Sequence, residues 1–434
     1  MLLLKGSMLK DGGMMKKIYA SLDIGTSSIK LIVGEVINTN IHVLFANILP
    51  SHGIKKGLIL DEEAVKQDIQ KLVQSAEDSL KVKITRVLLN IPANQSRIYS
   101  TVGSVQILST DHTIRQSDVV KAIQKANRFE KKKNETIIST IPIKYHYNEQ
   151  TTTQNPIGKE AYSLQVDVLV ITTTKKVLYP YIRVVEGSQL EIMDICINAY
   201  SEAKEVLTDV NMEKGAVLVD VGHRSTTISF FEDNYLKYIT MVNVGGYDLT
   251  KLIASTWKIP LAKAETYKVK YGSCHVEMKE QDLIHTNKVD NDLVHYTKYD
   301  LAMLLHEGVE DLMVKVKEKL SVLGDKDCPV FIVGGGAEID GFANVATDVL
   351  EKTTLIYRPQ VIGVRKMSYV ASLGLIYYLV ECNKIYGEIE PSIMVEEITN
   401  TMSLRFKGLT KSNTNTGEGK IKKLIDRFVA DDSE

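Results

Sequence analysis

Two aspartates, Asp23 and Asp220, stand at the ends of similar apolar runs, and each is followed by a glycine turn. In the first, Lys17-Ile18-Tyr19-Ala20-Ser21-Leu22 leads to Asp23, turns through Gly25-Thr26-Ser27-Ser28 and resumes as Ile29-Lys30-Leu31-Ile32-Val33. Gly25 permits a tight turn, and successive amides with the Thr26, Ser27 and Ser28 hydroxyls make a phosphate cradle. Asp23, at the strand end, is placed to hold a divalent ion through water. Alone this is a weak signal, because many hairpins carry Asp and Gly for turn reasons only. The pattern returns roughly two hundred residues later, where Ala216-Val217-Leu218-Val219-Asp220-Val221-Gly222 is followed by Thr226-Thr227-Ile228-Ser229, as expected of two similar halves. A third run, Val330-Phe331-Ile332-Val333, ends in Gly334-Gly335-Gly336. Consecutive glycines let a backbone lie flat against a planar ligand such as a nucleoside. Together, two phosphate hairpins and a glycine corner make a split nucleotide clamp.

The elements that position these residues read mostly as strands. Both turns are flanked by Ile, Val and Leu without helix-cap signals, so each is a hairpin corner rather than the strand-to-helix corner of a Rossmann or Walker loop. Asp61 opens a helix whose Val65, Ile69, Leu72, Val73, Ala76 and Leu80 recur at helical spacing. From about Asn94 to Ala161 the character changes to β-rich, with one helix from Asp118 to Phe129 and a basic run, Lys131 to Lys133, that reads as a solvated helix end. This predicts a small inserted α+β subdomain. A polar helix is expected at Ser201 to Leu207, and a helix at Ala262 to Tyr271 sets Glu265 and Lys268 on one face. A long amphipathic helix runs from about Thr297 to Val322. A short apolar one, Tyr369 to Tyr378, carries Ala371 and Gly374 where a hinge needs close backbone approach. The expected division is an extension at 1–15, a first lobe at 16–85 and 173–215, an insertion at 86–172, and a second lobe at 216–386. A linker at 387–419 and a terminal helix at 420–434 follow.

Composition narrows the classes. The chain's 434 residues suffice for two or more domains, and 25% charged with 44% apolar residues is an ordinary globular mix. A net charge of -1 offers no bulk basicity for nucleic acid. Cys196, Cys274, Cys328 and Cys382 lack metal spacing and read as reduced core thiols of a cytosolic protein. His306-Glu307 lacks the second histidine of a zinc helix. Met1 to Lys5 is too short for a signal sequence, which makes Met14 or Met15 a candidate start. No apolar run has transmembrane length. The tail is different. After the polar stretch Lys411 to Gly419, Ile421, Leu424, Ile425, Phe428 and Val429 share one helical face, with Lys420, Lys423 and Arg427 opposite. Such a segment suits a membrane interface, the alternative being a helix packed on a protein surface. One such anchor binds weakly, and several on an assembly bind together far more tightly.

The combination of Asp-x-Gly-Thr hairpin, second Asp-x-Gly with Thr-Thr, and Gly-Gly-Gly after a strand resembles the actin, heat-shock-chaperone and sugar-kinase ATPase superfamily. Within it the chain looks most like the FtsA family of bacterial cell-division proteins, from about Lys16 to Phe428. Asn155-Pro156-Ile157-Gly158, Ala199 to Thr208, Ala264 to Gly272 and the position of the insertion carry that resemblance. It implies an α/β fold, an actin-like (ribonuclease-H-like) two-domain nucleotide clamp with an inserted small α+β subdomain, holding ATP and Mg²⁺. Gly25, Thr26, Ser27 and Lys30 would face one side of the phosphates, and Gly222, Ser225 and Thr226 the other. Asp23 and Asp220 would organise the ion and its waters; Glu265, Lys268 and Gly334 to Gly336 would border the nucleoside. Here His223-Arg224-Ser225 replaces the usual glycine-rich or acidic stretch, a departure that bears on the aiming of water. Glu202 is a candidate for orienting that water, the alternative being a solvent-facing helix acid. Turnover is accordingly expected to be slow or absent. The family's partners would be a second copy of the chain, the cytoplasmic face of the membrane at the division site, and the tail of the tubulin-like protein FtsZ. That tail would dock at about 248–323 near Lys298. The competing reading is a cytosolic sugar kinase or chaperone-like ATPase on the same clamp, for which a terminal membrane helix has no purpose.

Overall fold

The computed structural model describes residues 17–37, 39–289, 292–387 and 391–393. Lys17–Ile24 (β1) and Ser28–Ile37 (β2) form the first hairpin, with Asp23 opposite Lys30 in the ladder. Asn40–Pro50 (β3) extends it, and a two-residue pair, Ile54–Lys55 (β4) with Leu58–Ile59 (β5), follows. Helix α1 (Glu62–Leu80) starts where the Asp61 carboxylate accepts from the Ala64 amide at 3.0 Å, and it buries Val65, Ile69, Leu72 and Ala76 as its periodicity requires. Strand β6 (Arg86–Ile91) then lies parallel to β1.

The insertion consists of β7 (Arg97–Gln106), α2 (Gln116–Ala126), β8 (Glu135–Tyr147), β9 (Gln150–Thr152) and β10 (Ser163–Thr174), its sheet ordered β7-β10-β8-β9. The chain returns through α3 (Lys175–Gly187), β11 (Glu191–Ile197), α4 (Asn198–Val206) and α5 (Asp209–Lys214). The second lobe comprises β12 (Ala216–Val221), β13 (Thr226–Glu232), β14 (Tyr235–Val242), α6 (Gly246–Trp257) and α7 (Leu261–Tyr271). It continues with the hairpin β15 (Leu283–Val289) and β16 (Asp292–Thr297), α8 (Lys298–Leu320), β17 (Val330–Val333), α9 (Phe342–Leu350) and β18 (Thr354–Ile356). Helix α10 (Val370–Tyr386) is the last helix among the described residues.

The two lobes repeat one sheet. The first is ordered β11-β6-β1-β2-β3 and the second β18-β17-β12-β13-β14, each an antiparallel meander of three strands with two parallel strands beside the first. In both, the Asp-bearing strand is central and ends at its turn, which brings the turns to equivalent places.

Three boundaries differ from the sequence expectation. Strand β6 pairs with β1 and β11, so the insertion begins after Ile91 rather than at 86, and it runs to Thr174. Helix α10 packs on α4 of the first lobe rather than in the second, and it continues past Tyr378 to Tyr386. A Cβ on Gly374 would lie 1.8 Å from the Ser201 carbonyl oxygen, so the two helices touch backbone to backbone there. Beyond α10 the chain comes back to β1: the Ser392 amide donates to Ile18 O (2.9 Å), and the Ala20 amide donates to Ser392 Oγ (2.8 Å). The expected extension at 1–15, the linker beyond Ile393 and the terminal helix at 420–434 lie outside the described residues.

Candidate functional site

The two glycine turns close in the same way. Gly25 N donates to Ser28 O and Gly222 N donates to Ser225 O, each at 3.0 Å. A Cβ would meet those same carbonyls at 3.0 and 2.9 Å, so each turn is as tight as glycine allows. Both turns line one cleft, together with Asp23, Lys30, Asn94, Asn198, Glu202, Asp220, Gly334 and Gly335. Ser27 is exposed at the turn, and Thr26 Oγ1 accepts from the Gly57 amide (3.1 Å), which ties the first turn to the β4–β5 pair. Thr226 is a correction. Its side chain is fully buried, its hydroxyl donates to Val244 O (2.8 Å), and it is not part of the lining; Thr227, on the opposite strand face, is.

The electrostatics centre on three carboxyl groups and one ammonium. Lys30 Nζ donates to Asp23 Oδ2 at 2.9 Å. Asn198, the first residue of α4, donates through Nδ2 to Asp220 Oδ2 at 3.1 Å. Burial pushes the Asp220 carboxyl up to about 6, with Lys30 opposing and Asp23 adding to the rise. Glu202 is buried rather than solvent-facing, because the whole of α4 is sandwiched between the sheet and α10. Burial, then Asp220 and Asp23, hold its carboxyl well above the usual carboxylate range. Its Oε2 has no hydrogen-bond partner among the described residues. An orphaned buried acceptor beside two aspartates is a demand for a proton, a cation or ordered water.

The glycine corner divides its labour. Gly334 has φ +91°, and a Cβ there would sit 2.3 Å from Asp220 Oδ1; a Cβ on Gly336 would sit 2.7 Å from Val221 O. Those two are glycine so that the corner can lie on the second hairpin. Gly335 alone would meet nothing within 4 Å, and it faces the cleft. Gly246 N donates to Gly222 O (2.9 Å), which stacks the start of α6 on the same backbone. Glu265 and Lys268 come together as expected, at 2.8 Å, but neither lines the cleft. Lys268 Nζ donates to Gly246 O (2.8 Å) and Thr250 Oγ1 (2.7 Å), and Thr250 also donates to Glu265. The pair therefore fastens α7 to the first turn of α6, behind the glycine corner.

In the departing loop, the Arg224 guanidinium lies 3.8 Å from the Tyr247 ring centroid, and the His223 ring is 5.3 Å from the same ring. Burial, reinforced by Arg224, lowers the His223 ring from its ordinary value. Sequence reasoning missed Asn198, Asn94, Lys56 and Met367, which reach the cleft from four separate segments and carry no local motif. Lys298 is engaged by Glu280 (3.1 Å) and Asp282 (2.8 Å). Among the described residues no cluster of His, Cys, Asp or Glu could hold a metal ion by itself, and no helix is long and apolar enough to cross a membrane.

The chain is similar to known proteins in sequence and in fold. The model for the cell division protein FtsA matches residues 217–374, and that for the SHS2 domain inserted in FtsA matches 93–172, inside the insertion seen here. A model for the type IV pilus assembly protein PilM matches 153–280. The cell division protein FtsA of Bacillus subtilis (strain 168) is 27% identical over 434 residues, covering 95% of this chain and 99% of that protein. The FtsA of Staphylococcus epidermidis (strain ATCC 35984) is 29% identical over 364 residues, covering 82% and 78%. Among solved structures, a PilM-PilN type IV pilus biogenesis complex aligns with TM-score 0.57 at 16% identity over 82% of this chain and 97% of that one. MreB5 of Spiroplasma citri bound to ADP aligns with TM-score 0.52 at 13% identity over 85% and 98%. At such identities the structural likeness carries the fold, which is actin-like, and nothing further.

Proposed function

This chain belongs to the FtsA family of cell division proteins, and from that premise we propose that it is a membrane-tethered nucleotide clamp that anchors FtsZ. On this reading it binds ATP with Mg²⁺ between its lobes, self-associates, and attaches FtsZ to the cytoplasmic face of the membrane at the division site. The observation that supports it best is the pair of identically closed turns, Gly25 to Ser28 and Gly222 to Ser225, on one cleft with an aspartate behind each. The residues present fit a magnesium nucleotide on three counts: the orphaned Glu202 Oε2, the flanking Asp23 and Asp220, and the open side of Gly335.

The chain's own groups would divide the work as follows. The amides and hydroxyls of Thr26 and Ser27 on one side, and of Ser225 on the other, would donate to phosphate oxygens, with Gly25 and Gly222 closing the two turns that present them. Lys30, held by Asp23, adds positive charge beside them. Asp23, Asp220 and Glu202 would hold the ion through water. Bound magnesium would offset phosphate charge. Gly335 would pass along the nucleoside, while Gly334, Gly336, Glu265 and Lys268 keep that corner rigid. With Arg224 stacked on Tyr247, the second hairpin is bulky where hydrolysis needs an aimed water, which supports slow or absent turnover. An acidic FtsZ tail reaching 248–323 would have to compete with Glu280 and Asp282 for Lys298. The tail of this chain starts at the end of the first lobe away from the cleft, after Ile393, and its last segment supplies the weak anchor that assembly multiplies.

Co-sedimentation with anionic vesicles tests the whole reading. The full chain with ATP and magnesium should pellet and carry purified FtsZ with it; a chain ending at Gly419 should do neither. Equal pelleting of the two would remove the tether, and pelleting without FtsZ would remove the adaptor.

A further inference from the structure

The inserted subdomain presents a basic face that the clamp and the tail leave unused. Helix α2 buries Val119, Ala122, Ile123 and Ala126 on its sheet, which turns Lys121 and Lys125 outward. Arg115 before the helix and Arg128 after it are exposed as well, and all four cations line one open groove. Asp118 also lines the groove and Asp111 stands beside it, and Arg115 engages both. The Asp118 carboxylate accepts from Arg115 N (2.9 Å), and Asp111 pairs with the Arg115 guanidinium (3.0 Å). Lys121, Lys125 and Arg128 have no carboxylate partner among the described residues; Lys125 only donates to Ser104 O (3.0 Å). In a chain of net charge -1 this is a local segregation of positive charge.

The groove is edged by apolar groups. Leu108, which lines it, is 89% exposed, and Tyr162 is 71% exposed. The Ile107 amide donates to Tyr162 O (2.9 Å), so the two side chains stand on adjoining backbone. An exposed aliphatic and an exposed aromatic beside unpaired cations is the chemistry of a headgroup interface. The location agrees. Gln116, in the first turn of α2, donates to Ile385 O (3.3 Å) near the end of α10. From there the chain passes to Ile393, beyond which 41 residues (394–434) end in the basic amphipathic segment.

We propose that this face of the inserted subdomain is a second contact with an anionic lipid surface, with headgroup phosphates against Lys121, Lys125 and Arg128 and with Leu108 and Tyr162 at headgroup depth. The proposal rests on the tethered reading above for what brings the face to the bilayer. An open face of long, unfixed cations suits a fluid array of phosphates, whereas a specific acidic peptide would call for a shaped, apolar pocket between the charges. Each basic residue within a screening length of an anionic leaflet strengthens binding about fivefold.

The test uses the full chain, the triple variant Lys121→Glu/Lys125→Glu/Arg128→Glu, and Leu108→Ser. Each is titrated with vesicles of phosphatidylcholine alone and with phosphatidylserine added. The triple variant should bind the phosphatidylserine vesicles at least tenfold more weakly than the parent, with a shallower salt dependence. Its binding to phosphatidylcholine should be unchanged, and Leu108→Ser should bind both vesicles more weakly. The same salt slope and affinity as the parent would overturn the proposal. So would a proportional loss on phosphatidylcholine, full competition by millimolar inorganic phosphate, or unchanged vesicle binding with lost binding of a polyglutamate peptide. Should the charge reversals fail to fold, Lys121→Gln/Lys125→Gln/Arg128→Gln gives the same comparison. A chain ending at Gly419 separates the two readings: if it binds as the parent does, the tether fails, whereas if it loses binding and the triple variant keeps the parent's affinity, only this face fails.

Discussion

Gly335→Asp separates a glycine kept for a ligand from one kept for packing. A Cβ at Gly335 meets no protein atom within 4 Å, and the residue borders the cleft beside Asp220. The unliganded variant should therefore match the parent to within about 0.5 kcal/mol, the ordinary range for a substitution that touches nothing. The ligand-dependent part should behave differently. A nucleotide at a hundred times its dissociation constant adds about 2.7 kcal/mol to the folded state. A carboxylate placed in the ligand's own space, and of the same charge as the phosphates, removes that increment. The assay is thermal or urea unfolding at fixed magnesium, with and without ATP, on both proteins. The parent should gain several degrees on adding ATP, and the variant none. Two results would refute the reasoning: a marked loss of stability without ligand, or an ATP-dependent shift equal to the parent's.

Neighbouring positions make contrasting predictions. Gly334→Ala puts a methyl at φ +91° and 2.3 Å from Asp220 Oδ1, and it should cost about 2–4 kcal/mol without any ligand, read as a fall in the urea midpoint. Gly374→Ala drives a methyl into Ser201 O at 1.8 Å, so α4 and α10 should part and amide exchange in α4 should rise severalfold. Glu205 on α4 accepts from the Tyr357 hydroxyl (2.9 Å) of the second lobe, and burial pushes its carboxyl up to about 7, with that hydrogen bond opposing. Its folded value exceeds the unfolded one, so the stability it lends is complete below about 4.5 and is lost as pH rises through about 7. Glu205→Gln keeps the hydrogen bond without the charge. Above pH 7 it should be more stable than the parent by about 1–3 kcal/mol, with a flatter profile between those limits, and identical unfolding curves at pH 8 would contradict this.

Local pattern was enough for the parts of the site that are made within a few residues. A strand, an acid, a glycine and a resumed strand specify a hairpin corner wherever they occur, because glycine's freedom and the period of two act within the hairpin itself. Asp23, Gly25, Asp220 and Gly222 could thus be found from their spacing, and their repetition implied two like lobes. The amphipathic character of α1 and α8 was readable for the same reason, since 3.6-residue periodicity needs no partner to be seen. Membership of a sheet is a different matter. Strand β6 has the same Val and Leu content as any buried strand, and only its pairing with β1 and β11 assigns it to the first lobe rather than the insertion. The hairpin β15–β16 escaped notice because its alternation is largely polar.

Burial of polar groups was decided later still. Helix α4 looks solvated in one dimension, with Ser201, Glu202, Lys204 and Glu205 in a row. It becomes interior only because α10 leaves the second lobe and lies against it, a contact made across roughly 170 residues of chain. That return is what turns Glu202 toward two aspartates with one oxygen unsatisfied. In β13, the packing of one sheet face into the second lobe's core places Thr226 inward and leaves Thr227 toward the cleft. The sequence alone determined which residues could bend, donate or ionise, because those are properties of a residue and its immediate neighbours. Only the tertiary structure decided which of them are dry, paired or facing one another, since desolvation and charge interaction depend on what the rest of the chain brings alongside.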